Sequence, residues 1–179
     1  MIVLITGTPG TGKSTVARHL AGKLGYRLIR INELGGDVVV GYDAERESKI
    51  LDMDKVSEQL KNVEGDVIIE GHLSHLLSFG DVIIVLRAHP DILRKRLRNF
   101  RKKKLDENLE AEALDVCLIE SIKEHGSEKV FEIDTSKKKS EDVAKDIVKI
   151  LGGKGEEFEP GRIDWSEEFF YKEDKRDQQ

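Results

Sequence analysis

A chain of 179 residues can bury a core of its own and is most simply one domain, and 38% apolar with 36% charged residues is a soluble globular composition that excludes disorder throughout. No uninterrupted apolar run is longer than that from Val82 to Leu86, far below the roughly 20 residues of a membrane helix, so a cytoplasmic protein without membrane association is expected. The formal net charge is −5, and the single cysteine, Cys117, excludes an internal disulfide or a sulfur-ligated zinc and reads as a small buried residue on a helix.

Ile2 to Thr6, IVLIT, is a continuous apolar run stopped by Gly7, the pattern of a strand covered on both faces. From Ser14 to Leu24 the residues Val16, Ala17, Leu20 and Leu24 recur at helical spacing, with Gly25 as a stop. YRLIRI, from Tyr26, reads as a short second strand, and Met53 to Val63 as a helix. VIIE (Val67 to Glu70) and VIIVL (Val82 to Leu86) are two more buried strands. Pro90 suits a first helical turn that DILRKRL continues. A longer helical pattern runs from about Leu109 to Ile122, and KVFEID is a fifth strand. Ser140 is placed to cap a last helix through Leu151, with Val143, Ile147, Val148 and Leu151 on one face and Gly152 and Gly153 closing it. Strands that alternate with helices predict an α/β fold, a parallel sheet layered between helices, with ligands at the carboxyl ends of the strands.

The segment LITGTPGTGKST, Leu4 to Thr15, lies at such an end. Gly7, Gly12, Lys13 and Ser14 satisfy G-x-x-x-x-G-K-[ST] between a predicted strand and a predicted helix, with Gly10 inside the loop. Glycines turn successive N–H groups inward, and the helix that follows adds its positive dipole end, so the loop makes a concave anion site. Lys13 would reach the β and γ phosphates of a nucleotide such as ATP, and the Ser14 hydroxyl would ligate Mg²⁺.

Phosphate binding does not by itself name a reaction. The N-K-x-D segment of guanine-specific switch proteins is absent, and LLSFGD does not match the L-S-G-G-Q of transporter ATPases, which leaves a small nucleotide kinase or a small ATPase. Charge is unevenly placed: Arg94 to Lys104 has eight basic residues and no acidic one, whereas Gly152 to Gln179 has nine acidic and five basic. The basic run stands where a kinase lid would begin, able to cover the moving phosphoryl group and exclude water.

With LITGTPGTGKST, the stretches GYDAERESKILDMDKV, IIEGHLSHLL, VIIVLRAHPDILRKRL and ENLEAEALDVCLIES, in that order, resemble the atypical adenylate kinases of archaea and eukaryotic nuclei, also known as CINAP-type ribosome-assembly ATPases. The resemblance covers about Met1 to Leu151. It implies a P-loop three-layer α/β/α fold with a five-stranded sheet in nucleoside monophosphate kinase order, 2-3-1-4-5, an acceptor region over about 30–54 and a short lid over about 97–108. Ordinary adenylate kinases end the third strand with D-G-F-P-R, whose arginine holds AMP; this chain reads EGHLSH there. By resemblance Gly10, Gly12, Lys13, Ser14 and Thr15 contact ATP, and Glu70 is the strand-end carboxylate that holds Mg²⁺ through water. His72 matches a histidine associated with water activation, and Gly41, Tyr42 and Asp43 are a nucleobase and ribose contact. The lid departs from relatives: counted backward from Glu107 and Asn108, Arg98 replaces the ATP-contacting arginine and Asn99 its glycine; counted forward from Arg96, the position is Phe100. Arg98 is preferred, because Asn tolerates the left-handed geometry of a glycine.

The extension 152–179 lies beyond the resemblance. Phe158, Ile163, Trp165, Phe169 and Phe170, interleaved with acids, could dock on the domain, bind a partner or stay mobile, and the final YKEDKRDQQ is expected to be disordered. Two functions are compatible with one site: transfer of the ATP γ-phosphoryl group to AMP or another nucleoside monophosphate, with ATPase activity besides, or ATP hydrolysis that times ribosome assembly. The resemblance implies the ribosomal protein uS11 and the pre-ribosomal small subunit as partners, with a role in rRNA processing. No DNA partner is expected, and a small-metabolite kinase is a weaker alternative.

Overall fold

In the computed structural model, which describes residues 1–167, 169 and 170, the chain opens with β1 (Ile2–Thr6), α1 (Lys13–Leu24) and β2 (Arg27–Arg30). A hairpin of β3 (Val39–Asp43) and β4 (Ser48–Leu51) follows, then α2 (Met53–Leu60), β5 (Val67–Glu70), β6 (Val82–Arg87), α3 (Pro90–Arg96) and α4 (Lys102–Ala113). The rest comprises α5 (Val116–His125), β7 (Val130–Asp134) and α6 (Ser140–Leu151). β1, β2, β5, β6 and β7 form one parallel sheet in the order β2-β5-β1-β6-β7. Counted among sheet strands alone, this is the expected 2-3-1-4-5. The hairpin stands apart as an antiparallel pair inside the expected acceptor region.

The continuous apolar strands are explained by the two sheet faces. Val3, Ile5, Ile68, Ile84 and Leu86 point to one side, where Val16, Ala17 and Leu20 of α1 and Val143, Ala144, Ile147 and Ile150 of α6 cover them. Their neighbours Leu4, Val67, Ile69, Ile83 and Val85 point to the other, against Val56 and Leu60 of α2 and Leu118 of α5. The alternation has the two-residue period of a strand, and burial on both faces removes the polar half of the usual pattern. Each such side chain contributes roughly 1.5–3 kcal/mol on burial. A smaller cluster, Ala88, Leu93, Leu97 and Leu109, holds α3 to α4, so the lid is anchored by less apolar surface than the sheet. Among the described residues no helix is long and apolar enough to cross a membrane.

Three expectations need correction. The helical pattern from Leu109 to Ile122 is broken: α4 ends at Ala113 and α5 begins at Val116, with Asp115 between them at φ 56. Ser140 does not cap α6, because the helix starts on it; its hydroxyl goes to Glu141 Oε2 at 3.3 Å. The second strand stops at Arg30, and Ile31–Glu33 turns into a single 3₁₀ turn. The extension beyond Leu151 docks over part of its length. Phe158 is buried against the sheet, Trp165 lies 5.2 Å from the Arg87 guanidinium, and Phe169 packs on the lid cluster. Tyr171–Gln179, expected to be disordered, lie outside the described residues.

The break at Asp115 has a cause in Arg87, which ends β6 and is 1% exposed. Its Nε donates to Glu112 Oε1 at 2.8 Å and its Nη2 to the Glu112 carbonyl at 3.0 Å. The same Nη2 meets Asp115, while Nη1 reaches Glu132 Oε2 at 3.3 Å. One guanidinium thus binds the α4–α5 junction and the neighbouring strand, and it holds Asp115 in a left-handed conformation that aspartate tolerates better than most residues. The second Glu132 oxygen accepts the N–H groups of Arg162 (2.6 Å) and Ile163 (3.1 Å), which brings the extension into the same network. Removing the cation would leave buried carboxylates uncompensated. Arg87→Ala is therefore expected to lower stability by about 3–5 kcal/mol, measured as a drop in the urea midpoint at unchanged slope. A loss below about 1 kcal/mol would mean that the carboxylates regain water without cost.

Candidate active site

The loop from Gly7 to Gly12 turns the chain from β1 into α1. Gly7 has φ 129, and a Cβ there would stand 2.2 Å from the Leu86 carbonyl oxygen, so the neighbouring strand excludes any side chain. Gly10, at φ 88, lies so close to the lid base that a Cβ would meet Leu93 of α3 and Leu97 just after it at 3.1 and 3.0 Å. The loop is braced from within: the Thr11 hydroxyl donates to the Thr8 carbonyl at 2.9 Å, and Lys13 Nζ donates to the same oxygen at 3.0 Å. Lys13 is buried, and burial draws its pKa below the ordinary lysine value, opposed by Glu70 and Glu112 among others. Ser14 and Thr15, on the first turn of α1 after Gly12, stay exposed. Gly10, Gly12 and Thr15 line one cavity, with the buried Lys13 and the exposed Ser14 beside them on the same turn, an arrangement of backbone amides, an ammonium and two hydroxyls suited to polyphosphate.

Glu70 ends β5 beside β1 and is buried within electrostatic reach of Lys13. Its Oε1 lies 3.7 Å from Arg30 Nε, beyond hydrogen-bond range. That nitrogen is buried and has no hydrogen-bond partner among the described residues, although Arg30 Nη1 holds Glu33 at 2.7 Å. Two residues further on, His72 is kept neutral. Burial first, then the charges of Lys13, His75 and Lys104, lower its pKa to about 4. The turn that carries His72 is pinned by the Ser74 hydroxyl, which donates to the Ile5 carbonyl at 2.8 Å, and by His75, whose Nδ1 lies 2.6 Å from Thr6 Oγ1 and whose Nε2 lies 2.9 Å from Glu120.

Two cavities meet the loop at adjacent residues. One, of about 540 Å³, reaches Pro9 and His72 and is walled by Tyr42 and Ser48 of the hairpin and by Phe100 and Lys104 of the lid. The other, of about 240 Å³, is lined by Gly10, Gly12, Thr15, Arg96, Thr135 and Lys138, among others. Of the hairpin residues expected to touch a nucleobase, Tyr42 faces the first cavity, whereas Asp43 is taken up by Arg46 and Gly41 is not among the lining residues. The lid arginine in contact with the loop is Arg96. Its Nη1 donates to the Gly10 carbonyl and its Nη2 to the Thr135 carbonyl, both at 3.0 Å. Arg98 is exposed and makes no hydrogen bond or ion pair among the described residues, while Phe100 faces the larger cavity. Sequence reasoning missed Arg30, Arg96 and Thr135: a strand-end arginine, one of several arginines in a basic run and a threonine after a strand carry no spacing signal.

The donors present fit ATP with Mg²⁺. A loop whose glycines let it pack against β6 and the lid base, a buried lysine, an exposed serine hydroxyl on the first turn of a helix and a strand-end carboxylate match a magnesium ion that keeps its waters and takes phosphate oxygens. Among the described residues no group of three or more His, Cys, Asp or Glu side chains could hold a metal alone.

Residues 3–115 match the family described as AAA domain. The chain is 42% identical to the "Putative adenylate kinase" of Methanococcus maripaludis over 96% of its own length and 98% of that protein. It is 44% identical to the protein of the same name from Archaeoglobus fulgidus, covering 94% of this chain and 93% of that one. The fold is shared with thymidylate kinase from Candida albicans (TM-score 0.57, 13% identity, 85% of this chain and 91% of that one).

The neutral His72 makes a pH prediction. Its folded pKa of about 4 lies below the unfolded value of 6.5, so the unfolded chain takes up the proton first. The stability this ring contributes is complete above pH 6.5 and is lost as the pH falls from 6.5 toward 4. Urea midpoints of the wild type should fall more steeply across that window than those of His72→Gln. Parallel curves would mean that the ring titrates as it does in water.

Proposed function

That the chain belongs to this archaeal family of P-loop nucleotide kinases, within the nucleoside monophosphate kinase superfamily, is the premise from which we propose that it is an adenylate kinase, converting ATP and AMP to two ADP, with ATP hydrolysis as a side activity. The observation that carries the kinase reading is the pair of cavities that adjoin one phosphate loop at Pro9 and Gly10. A hydrolase needs room for a nucleotide and a water; a kinase needs room for two nucleotides. In this reading the donor lies along Gly10–Thr15 with its nucleoside toward Arg96, Thr135 and Lys138. The acceptor occupies the hairpin side, with Tyr42 against its base and Gly41 and Asp43 in the wall behind. Arg30, whose buried Nε has no hydrogen-bond partner among the described residues and lies 3.7 Å from Glu70, is the cation this reading offers to the acceptor phosphate.

The acceptor's phosphate oxygen attacks the γ phosphorus, a new P–O bond forms, and the bond from that phosphorus to the β–γ bridging oxygen breaks, so that the electron pair leaves with ADP. The attacking group is already anionic, so no general base is needed. Lys13 gives up its bond to the Thr8 carbonyl for the β and γ oxygens and neutralises charge that a buried ammonium feels strongly. Arg98, exposed and uncommitted, is the lid guanidinium available to the transferring group. Mg²⁺, held by the Ser14 hydroxyl and through water by Glu70, would neutralise and orient the phosphates when bound. A closed lid keeps water out and aligns donor with acceptor.

The hydrolytic reading rests on His72, a neutral imidazole able to accept a hydrogen bond from a water and so orient it toward the γ phosphorus. A role in maturation of the small ribosomal subunit, with uS11 as partner, rests on the resemblance and on the acidic extension, which would suit a basic partner. A small-metabolite acceptor is the weakest option.

Two experiments test the assignment. Purified protein given Mg-ATP should form ADP in proportion to added AMP, with little free phosphate; phosphate release indifferent to AMP would replace the kinase with an ATP-driven assembly factor. Lys13→Ala should abolish both activities, whereas His72→Gly should impair hydrolysis and spare transfer. Equal losses in the latter variant would contradict the division of roles.

A further inference from the structure

The tip of the hairpin and the lid helix meet along a seam of ion pairs. The Arg46 guanidinium forks onto Glu107, Nε to Oε2 at 3.1 Å and Nη2 to Oε1 at 2.9 Å. Its remaining arm is held by Asp43, which accepts Nη1 at 2.9 Å and also the Arg46 backbone N–H at 2.9 Å. Glu45 takes Lys103 at 2.7 Å and Glu47 takes Arg101 at 2.8 Å, and the Lys104 ammonium meets the Arg46 carbonyl. Single exposed pairs contribute little, but a two-pronged guanidinium–carboxylate contact with the arginine already bracketed loses less side-chain freedom on closing.

Arg46 and Glu107 themselves line the larger cavity, whose floor reaches Pro9, Asn32 and His72 and whose remaining walls come from hairpin and lid: Tyr42 and Ser48 on one side, Phe100 and Asn108 on the other. Neither element encloses the space alone. The smaller cavity beside the glycine loop is lined by no residue of the hairpin or of α4. We propose that Arg46 and Glu107 are positioning residues for the acceptor: their pair joins lid to hairpin, and the acceptor nucleotide binds fully only in the joined arrangement. Acceptor binding and closure of this seam are then one coupled equilibrium, each favouring the other by the same factor, while donor binding is indifferent to it. The inference rests on the kinase reading above, since it takes the larger cavity to be the acceptor's.

The test is a double-mutant cycle on the full chain: wild type, Arg46→Gln, Glu107→Gln and both together, titrated calorimetrically at low salt with AMP and separately with a non-hydrolysable ATP analogue. Each single variant should bind AMP about two- to fivefold more weakly, the double variant no more weakly than the worse single, and the analogue should bind all four alike. Raising the salt should shrink the wild-type advantage. Additive losses, an equal loss for the analogue, or a fall in melting temperature that tracks the loss of affinity would overturn the proposal, because a merely structural pair would produce them. Wild-type protein that binds the analogue but no nucleoside monophosphate would overturn the acceptor reading and this inference with it. Wild-type protein that binds AMP no better than Glu107→Gln would overturn this inference alone.

Discussion

A lysine ammonium taken almost wholly out of water is the constraint around which the active end of this molecule is built. Lys13 is 8% exposed, and its only hydrogen bond among the described residues is to the Thr8 carbonyl of its own loop. A buried cation is costly unless charge of the opposite sign and further acceptors are near. Here Glu70 and Glu112 supply charge, one from the end of β5 and the other from the last turn of α4. The register makes this possible. Ile5 stands opposite Glu70 and Thr6 opposite Val85, so the last residue of β5 comes level with the end of β1, where the glycine loop begins. Polyphosphate would give the ammonium the anionic partner that the loop carbonyl only approximates.

The same end of the sheet carries a second buried cation with a structural task. Arg87 gathers Glu112, Asp115 and Glu132, and through them the lid helix, the bend into α5, strand β7 and the start of the docked extension. Glu112 also weighs on Lys13, so the two cations share a carboxylate. The basic character of residues 94–104 is thereby divided. Arg96 is bound to the loop backbone, Arg101 and Lys103 are paired with hairpin acids, and Arg98 is left without a protein partner among the described residues.

The architecture is largely legible in the sequence. Continuous apolar strands alternating with amphipathic helices imply a covered parallel sheet, and the glycine-lysine-serine spacing implies an anion cradle, because both follow from local geometry and a one-dimensional pattern. The hairpin was not legible, since VVVGYD and ESKIL are short, partly polar runs whose pairing depends on a turn at Glu45–Glu47 that has no glycine; Glu47 adopts φ 48 there. Nor was the break at Asp115, where helical spacing continues across the site and only a guanidinium arriving from β6 overrides it.

For the site the division is similar. Gly10, Gly12, Lys13, Ser14 and Thr15 fall within six consecutive residues, so the sequence by itself determined that they share one turn from strand into helix, with the spacing of an anion cradle. Which carboxylate faces Lys13, which arginine touches the loop and which hairpin residue faces the cavity were decided by the tertiary structure alone. Arg96 and Arg98 are two residues apart and chemically identical, yet the helix directs one to the Gly10 carbonyl and the chain beyond the helix leaves the other exposed. Asp43 and Tyr42 are adjacent, yet strand alternation and the nearness of Arg46 send one to an ion pair and the other to the cavity. The reason is physical: backbone conformation and spacing are local and can be read along a chain, whereas the partner of a long charged side chain is set by whatever the fold brings within about 3 Å of its end.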